Sequence, residues 1–143
     1  MAITSAICTS FKVEILKGVH DFTASSGNTF NLALYTSDAS LGVSTTAYTT
    51  SNEVSGSGYT AKGNALTSVT PVADSTTAVC DFADTSFTSA SFTARGCMIF
   101  NDSATGDPAV CVIDFGSDKT VTSGTFTIQF PAADASNAIV RIA

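Results

Sequence analysis

Charge is what this sequence has least of. Asp, Glu, Lys and Arg make up 13% of its 143 residues, about half the usual share of roughly 25%. Its surface must therefore be polar through Ser and Thr hydroxyls. A threonine costs less to desolvate at a contact than a lysine or glutamate, so such a surface suits β-sandwiches and proteins covered in an assembly. Bases are scarcest: Lys12, Lys17, Lys62, Arg95, Lys119 and Arg141 are scattered along a chain of net charge −6. No basic stripe is available to neutralise phosphates, which argues against direct nucleic-acid binding.

Long apolar runs are also missing. No stretch of about 18 apolar residues occurs, and no basic start followed by an apolar core opens the chain, so neither a membrane span nor a secretory signal is expected. His20 is the sole imidazole, and without a G-x-S-x-G elbow a nucleophilic triad has no support; a structural histidine is expected. Cys8, Cys80, Cys97 and Cys111 contain no C-x-x-C pair and lie away from His20, so no zinc site is expected and the thiols should be free.

Carboxylates do pair up in sequence, as Asp81 with Asp84 and Asp102 with Asp107. Both pairs fall at turns, where aspartate commonly binds its own backbone, so catalysis of the glycosidase type is not expected. The run DSATGD lacks the EF-hand spacing for calcium. Glycines at 56, 58 and 63 fall in SNEVSGSGYTAKGN, residues 51 to 64, which lacks the phosphate-loop order G-x-x-x-x-G-K-[ST] and a following helix. Their simpler role is to supply positive φ in a long loop. No catalytic residue, cofactor or metal is assigned.

What is present is β pattern. The chain is long enough for one domain, residues 1–143, burying about two thirds of its unfolded surface in a single core. In SAICTSFKVEILKGVHDF, Cys8, Phe11, Ile15, Val19 and Phe22 recur at spacings of three and four, predicting one N-terminal helix over 5–22 that packs on a sheet or docks on a partner. Gly18 weakens its last turn, so the helix could end near Lys17. TFNLALYTS alternates as a half-buried strand, with Phe30, Leu32 and Leu34 on one side. ALTSVT is a short strand that Pro71 should end, and TTAVCDF places Ala78, Cys80 and Phe82 on one face.

Thr93 to Phe130 holds three apolar runs separated by the turn formers NDSATGDP and GSDK, and predicts a central β-meander over 93–130. A bulge is expected near Gly96. A hairpin symmetric about Ala104 would set Cys97 opposite Cys111, and a slip of one residue would separate them. AIVRIA closes the chain as a strand paired into a sheet. The sum is an all-β, antiparallel β-sandwich of about eight strands, with jelly-roll among its forms, carrying one N-terminal α-helix.

Several runs are similar to those of a group of small virion structural proteins of tailed bacteriophages, of the capsid cement or decoration type. They are FKVEILKGVHDF, TFNLALYTSDASLG, TTAYTTSNEVSGSGYTAKG, SFTARGCMIFND and DFGSDKTVTSGTFTIQFPAADASNAIVRIA, which together cover most of the chain in order. The sequence departs from that pattern at Lys62, where a second glycine is usual, and at Phe87, near which a tryptophan is usual. The resemblance implies a non-enzymatic protein made in the host cytoplasm and placed on the outer capsid surface. Its partners would be the major capsid protein and copies of itself, as a dimer or trimer. Phe11 and Ile15 on the helix, with Tyr48, Glu53, Tyr59 and Lys62 in and beside the 51–64 loop, are the candidate contact residues. The alternatives are a tail or neck component and a surface module for host glycans, which would present Tyr35, Tyr48 and Tyr59 as an open aromatic platform.

Overall fold

The computed structural model describes residues 2–143. The described residues form eight strands and one helix: β1 (Ala6–Ile7), α1 (Thr9–Leu16), β2 (Phe30–Tyr35), β3 (Asn64–Ala65), β4 (Ser68–Asp74), β5 (Thr77–Phe82), β6 (Thr85–Asn101), β7 (Ala109–Ile128) and β8 (Val140–Ile142). All named pairings are antiparallel. A five-stranded sheet runs β1-β7-β6-β2-β3 and a three-stranded sheet runs β4-β5-β8. The expected all-β sandwich with one helix is what the chain forms.

Its spine is the hairpin of β6 and β7. Three strands were expected across 93–130; there are two, because GSDK does not turn the chain. Ala94 pairs with Lys119 and Gly96 with Asp114, so the residues between Asp114 and Lys119 bulge out of β7. Gly116 takes φ 81°. The Asp114 carboxylate holds the bulge by accepting the Gly116 N–H at 2.9 Å and the Arg95 Nε–H at 2.9 Å. Turn-forming residues thus supply a bulge instead of a reversal.

The true reversal lies at 102–108. Asn101 Oδ1 accepts the N–H groups of Ser103 and Ala104, and the Asn101 N–H bonds Pro108 O. A further shift between Ile99 and Phe100 sets Ile99 against Cys111 and Cys97 against Ile113. The hairpin is therefore displaced two residues from the symmetric register. Side chains alternate with period two, so both sulfurs keep the same face but sit diagonally. All four cysteines are free and buried, and burial pushes the Cys97 thiol up to about 12.

Register parity also sorts the two faces of the large sheet. Phe30, Leu32 and Leu34 lie opposite Asn101, Ile99 and Cys97. This face meets the small sheet and the segment after α1: Phe30 stacks on Phe22 with centroids 4.2 Å apart and lies 5.9 Å from Phe82. The opposite face carries Ala33, Tyr35, Met98, Phe100 and Val112, all buried, beneath the loop that starts near Leu41. Strand β2 is thus buried on both sides, a correction to the half-buried reading, because a loop covers what looked like a solvent face.

The helix is shorter than 5–22. Residues 6 and 7 pair with β7, and the Cys8 N–H bonds Val110 O. Sheet pairing therefore captures the backbone that the helical spacing had claimed. Cys8 occupies the N-cap without a side-chain cap bond, and Gly18 at φ 72° follows the Lys17 C-cap. Pro71 does not end its strand: β4 is an edge, and one extra residue between Val69 and Val72 absorbs the proline in a bulge.

One buried group is poorly served. Asp81 on β5 is 1% exposed; Oδ1 accepts the Phe82 N–H at 2.8 Å and Oδ2 has no partner. Burial raises its carboxyl above the ordinary value of 3.8, against the opposing backbone bond from Phe82. A folded-state value above the unfolded one means stability is lost as pH rises through it. Asp81→Asn should therefore melt above wild type at pH 7, with the gap closing by about pH 3. A pH-independent gap in melting curves would show that charge burial is not the cause.

Candidate functional site

Four of the six candidate contact residues come together around one carboxylate. The chain from Thr46 to Gly63 lies on the outer face of the hairpin, fastened at its start by Ala109 N–H to Thr46 O and Tyr48 N–H to Asp107 O. Tyr48 stacks on Phe100 with centroids 4.7 Å apart. Its hydroxyl donates to Glu53 Oε2 at 2.7 Å. Glu53 Oε1 accepts the Tyr59 hydroxyl at 2.7 Å and the Lys62 backbone N–H at 2.8 Å. Tyr59 in turn accepts the Leu34 N–H at 2.9 Å, which ties the cluster to β2.

Lys62 closes the arrangement from above. Its Nζ bonds Asp102 Oδ1 at 2.7 Å and Asp107 Oδ2 at 2.8 Å, and sits 5.6 Å from the Tyr48 ring centroid. The hydrogen bonds it donates to these two carboxylates hold its ammonium above the ordinary lysine range. The aspartates weighed as a catalytic pair are thus a clamp for one lysine. Burial pushes the Tyr48 hydroxyl up to about 12, and Tyr35 and Tyr59 higher still, again chiefly by burial. All three phenols stay neutral donors at physiological pH.

The glycines earn their places by close approach. A Cβ on Gly56 would meet Ser91 O, one on Gly58 would meet Thr88 O, and one on Gly63 would meet Leu32 O. Each has positive φ, and Ser57 bridges to Ser91 on β6. The loop is pressed against the backbones of β6 and β2 at distances only glycine allows. Lys62 itself holds φ 74°, the conformation that glycine would adopt without cost.

Phe11 and Ile15 belong to another surface. Phe11 is buried against His20 and Phe22, with centroids 5.0 and 5.9 Å away. Ile15 is half-buried and lines a groove of about 560 Å³ between α1 and β8, with Ile7, Leu16, Val140 and Ile142 among its walls. The three tyrosines do not form an open platform: Tyr35 is fully buried with its hydroxyl on Thr49 O at 2.7 Å, while Tyr48 and Tyr59 are spent on Glu53.

A polar chain that sequence reading missed runs beneath α1. His20 is buried; its Nε2 lies 3.3 Å from Glu14 Oε1, and its Nδ1 lies 3.1 Å from Asn101 Nδ2. Asn101 Nδ2 also donates to Asn28 Oδ1 at 2.9 Å. Both contacts are satisfied when Nε2 carries the proton and Nδ1 accepts. His20 is thereby structural, linking α1 to the hairpin turn. Of the other carboxylate pair, Asp84 accepts the Phe130 N–H at 2.7 Å and Asp81 is buried.

No protein-family model, no curated protein and no solved structure matches the chain.

Two substitutions test the clamp. Glu53→Ala leaves two phenols and an amide without their acceptor and should cost about 3 kcal/mol, whereas Glu53→Gln should cost about 1 kcal/mol because the Tyr48 hydroxyl can reverse to accept. Denaturant melts resolve the two. At position 62, Gly and Ala both lose the lysine contacts, but only Ala keeps the left-handed strain. Lys62→Gly should melt above Lys62→Ala by about 4 °C; equal melting temperatures would remove the strain argument.

Proposed function

We propose that this chain is a non-enzymatic structural protein of a virion. In this reading it is a capsid cement or decoration protein on the outer surface of the capsid, binding across seams between major capsid protein subunits and associating with its own copies. Its partners are proteins, with no direct contact to nucleic acid or membrane. The resemblance to small virion proteins of tailed bacteriophages motivates the reading.

The observation that carries it furthest is the Glu53 clamp. A seam-binding protein gains from many weak contacts repeated by symmetry. Each contact is cheaper when the contacting loop is ordered beforehand. Glu53, Lys62 and the three close-packed glycines fix the 46–63 segment to the hairpin, so it presents one shape. The segment itself is rich in hydroxyls, with Glu53 and Lys62 its only charged residues and both paired internally, which lowers the desolvation cost of covering it.

Side chains weighed for catalysis carry structural contacts, which favours the non-enzymatic reading. His20 spends both ring nitrogens on Glu14 and Asn101, and Lys62 binds both Asp102 and Asp107. A glycan-binding module would need its tyrosines free on one open face, whereas Tyr35 is buried and the Tyr48 and Tyr59 hydroxyls are bound to Glu53. A tail or neck component shares the same fold requirements and is separated by location.

Electron cryo-microscopy of particles containing this chain decides between them. The expected result is density for it repeated over the head lattice at subunit seams, and particles lacking it should release their genome at a lower temperature. Density confined to the tail, the neck or a single vertex would sink the cement assignment.

A further inference from the structure

The buried imidazole of His20 is a titratable group inside a polar chain that has no slack. Its partner Asn101 is 0% exposed and uses both ends of its amide. Oδ1 accepts the Ser103 and Ala104 N–H groups at 3.0 and 3.2 Å, which starts the 102–108 reversal. Nδ2 donates to Asn28 Oδ1 at 2.9 Å and lies 3.1 Å from His20 Nδ1. Because Oδ1 serves two backbone donors, the NH2 end must face His20, and His20 must present a bare Nδ1.

The surroundings of the ring are otherwise apolar or already bonded. Phe11 on α1, Phe22 beyond it and Phe30 on β2 stand around the ring with centroids 5.0, 6.3 and 6.1 Å away. Glu14 on α1 is the charged group at bonding distance, 3.3 Å from Nε2. Asp21, next in the chain, accepts the Thr23 N–H, and Asp102, next to Asn101, is bound to Lys62. Lys12 and Lys17 on the helix side are exposed.

Protonation of an imidazole makes both of its nitrogens donors. Here Nε2 would then hold Glu14 with charge assistance, while Nδ1–H would meet the Asn101 NH2 group, donor against donor. The amide can accept from Nδ1 only by reversing. Reversal gives up both N–H bonds of the turn and the bond to Asn28.

We propose that His20 and Asn101 form a pH-sensitive latch on the 102–108 reversal, closed when the imidazole is neutral and released when it is charged. The latched turn binds one proton fewer than the released turn, so by linkage acid favours release. The reversal carries Asp102 and Asp107, the two carboxylates on Lys62, and Asp107 O accepts the Tyr48 N–H. Release therefore reaches the Glu53 clamp and the 46–63 segment. The latch is a property of the isolated chain, whereas its consequence, capsid contacts that weaken in acid, rests on the function proposed above.

The test is amide hydrogen exchange of the purified chain, followed by NMR between about pH 8 and about pH 5, the interval in which an imidazole changes charge. After correction for the intrinsic pH dependence of exchange, protection of Ser103 and Ala104 should fall about tenfold towards the acid end. Protection of Cys8, whose N–H bonds Val110 O, should hold. His20→Gln removes the titration and should leave the two turn amides with a flat profile. Asn101→Asp should reverse the sign, because a proton must then lie between the carboxylate and Nδ1, so protection rises in acid. Constant protection at 103 and 104 in the unaltered chain, an equal loss at Cys8, the same acid loss in His20→Gln, or an acid loss in Asn101→Asp would overturn the proposal.

Discussion

Pairing of β6 with β7 is the constraint from which the remaining structure follows. A hairpin of this length offers two faces and two long edges, and each must be covered or paired. Strand β1 takes one edge and β2 the other. One face is closed by the small sheet and by the segment around His20, the opposite one by the loop that Glu53 organises. The bulges give this pairing its shape: the shift at Ile99 sets which side chains meet the small sheet, and the one after Asp114 bends the free half of the hairpin.

The burial of both faces explains why local pattern served some elements and misled on others. Strand β2 was legible in its bounds because Phe30, Leu32 and Leu34 alternate, and the 102–108 reversal because turn formers crowd there. Burial of β2 on its second face was not legible, since Asn31, Ala33 and Tyr35 read equally well as solvent-facing. The helix lost its first turn to β7, a partner more than a hundred residues away. GSDK and Pro71 carry strong local signals whose meaning depends on a neighbouring strand. Beside a partner already paired, a turn former makes a bulge; on an outer edge, a proline is tolerated.

The candidate site was half legible for a related reason. Tyr48, Glu53, Tyr59 and Lys62 could be singled out because they stand in a glycine-rich loop of low periodicity. Their internal partners could not, because they include contacts such as Lys62 with Asp102, forty residues apart in sequence. Nothing local joins His20 to Asn101. Sequence thus pointed to the loop without showing which of its side chains bind one another. The resulting surface is one of fixed shape, with its polar anchors consumed internally.

The antiparallel pairing of β1 with β7 also orders events in time. The Ser5 hydroxyl accepts the Asp114 N–H across 109 positions of sequence, and Ala6 and Ile7 find their partners only at Val112 and Cys111. On the ribosome the amino-terminal segment can meet Leu41 and Val43 early, through Thr4 N–H to Leu41 O and Thr9 N–H to Val43 O, but its sheet partner emerges only with β7, and β2 waits likewise for β6. Such distant pairings close slowly and leave apolar strands uncovered meanwhile. The many hydroxyls between those strands keep the waiting chain hydrated, so the composition that suits a covered surface also serves the nascent polypeptide.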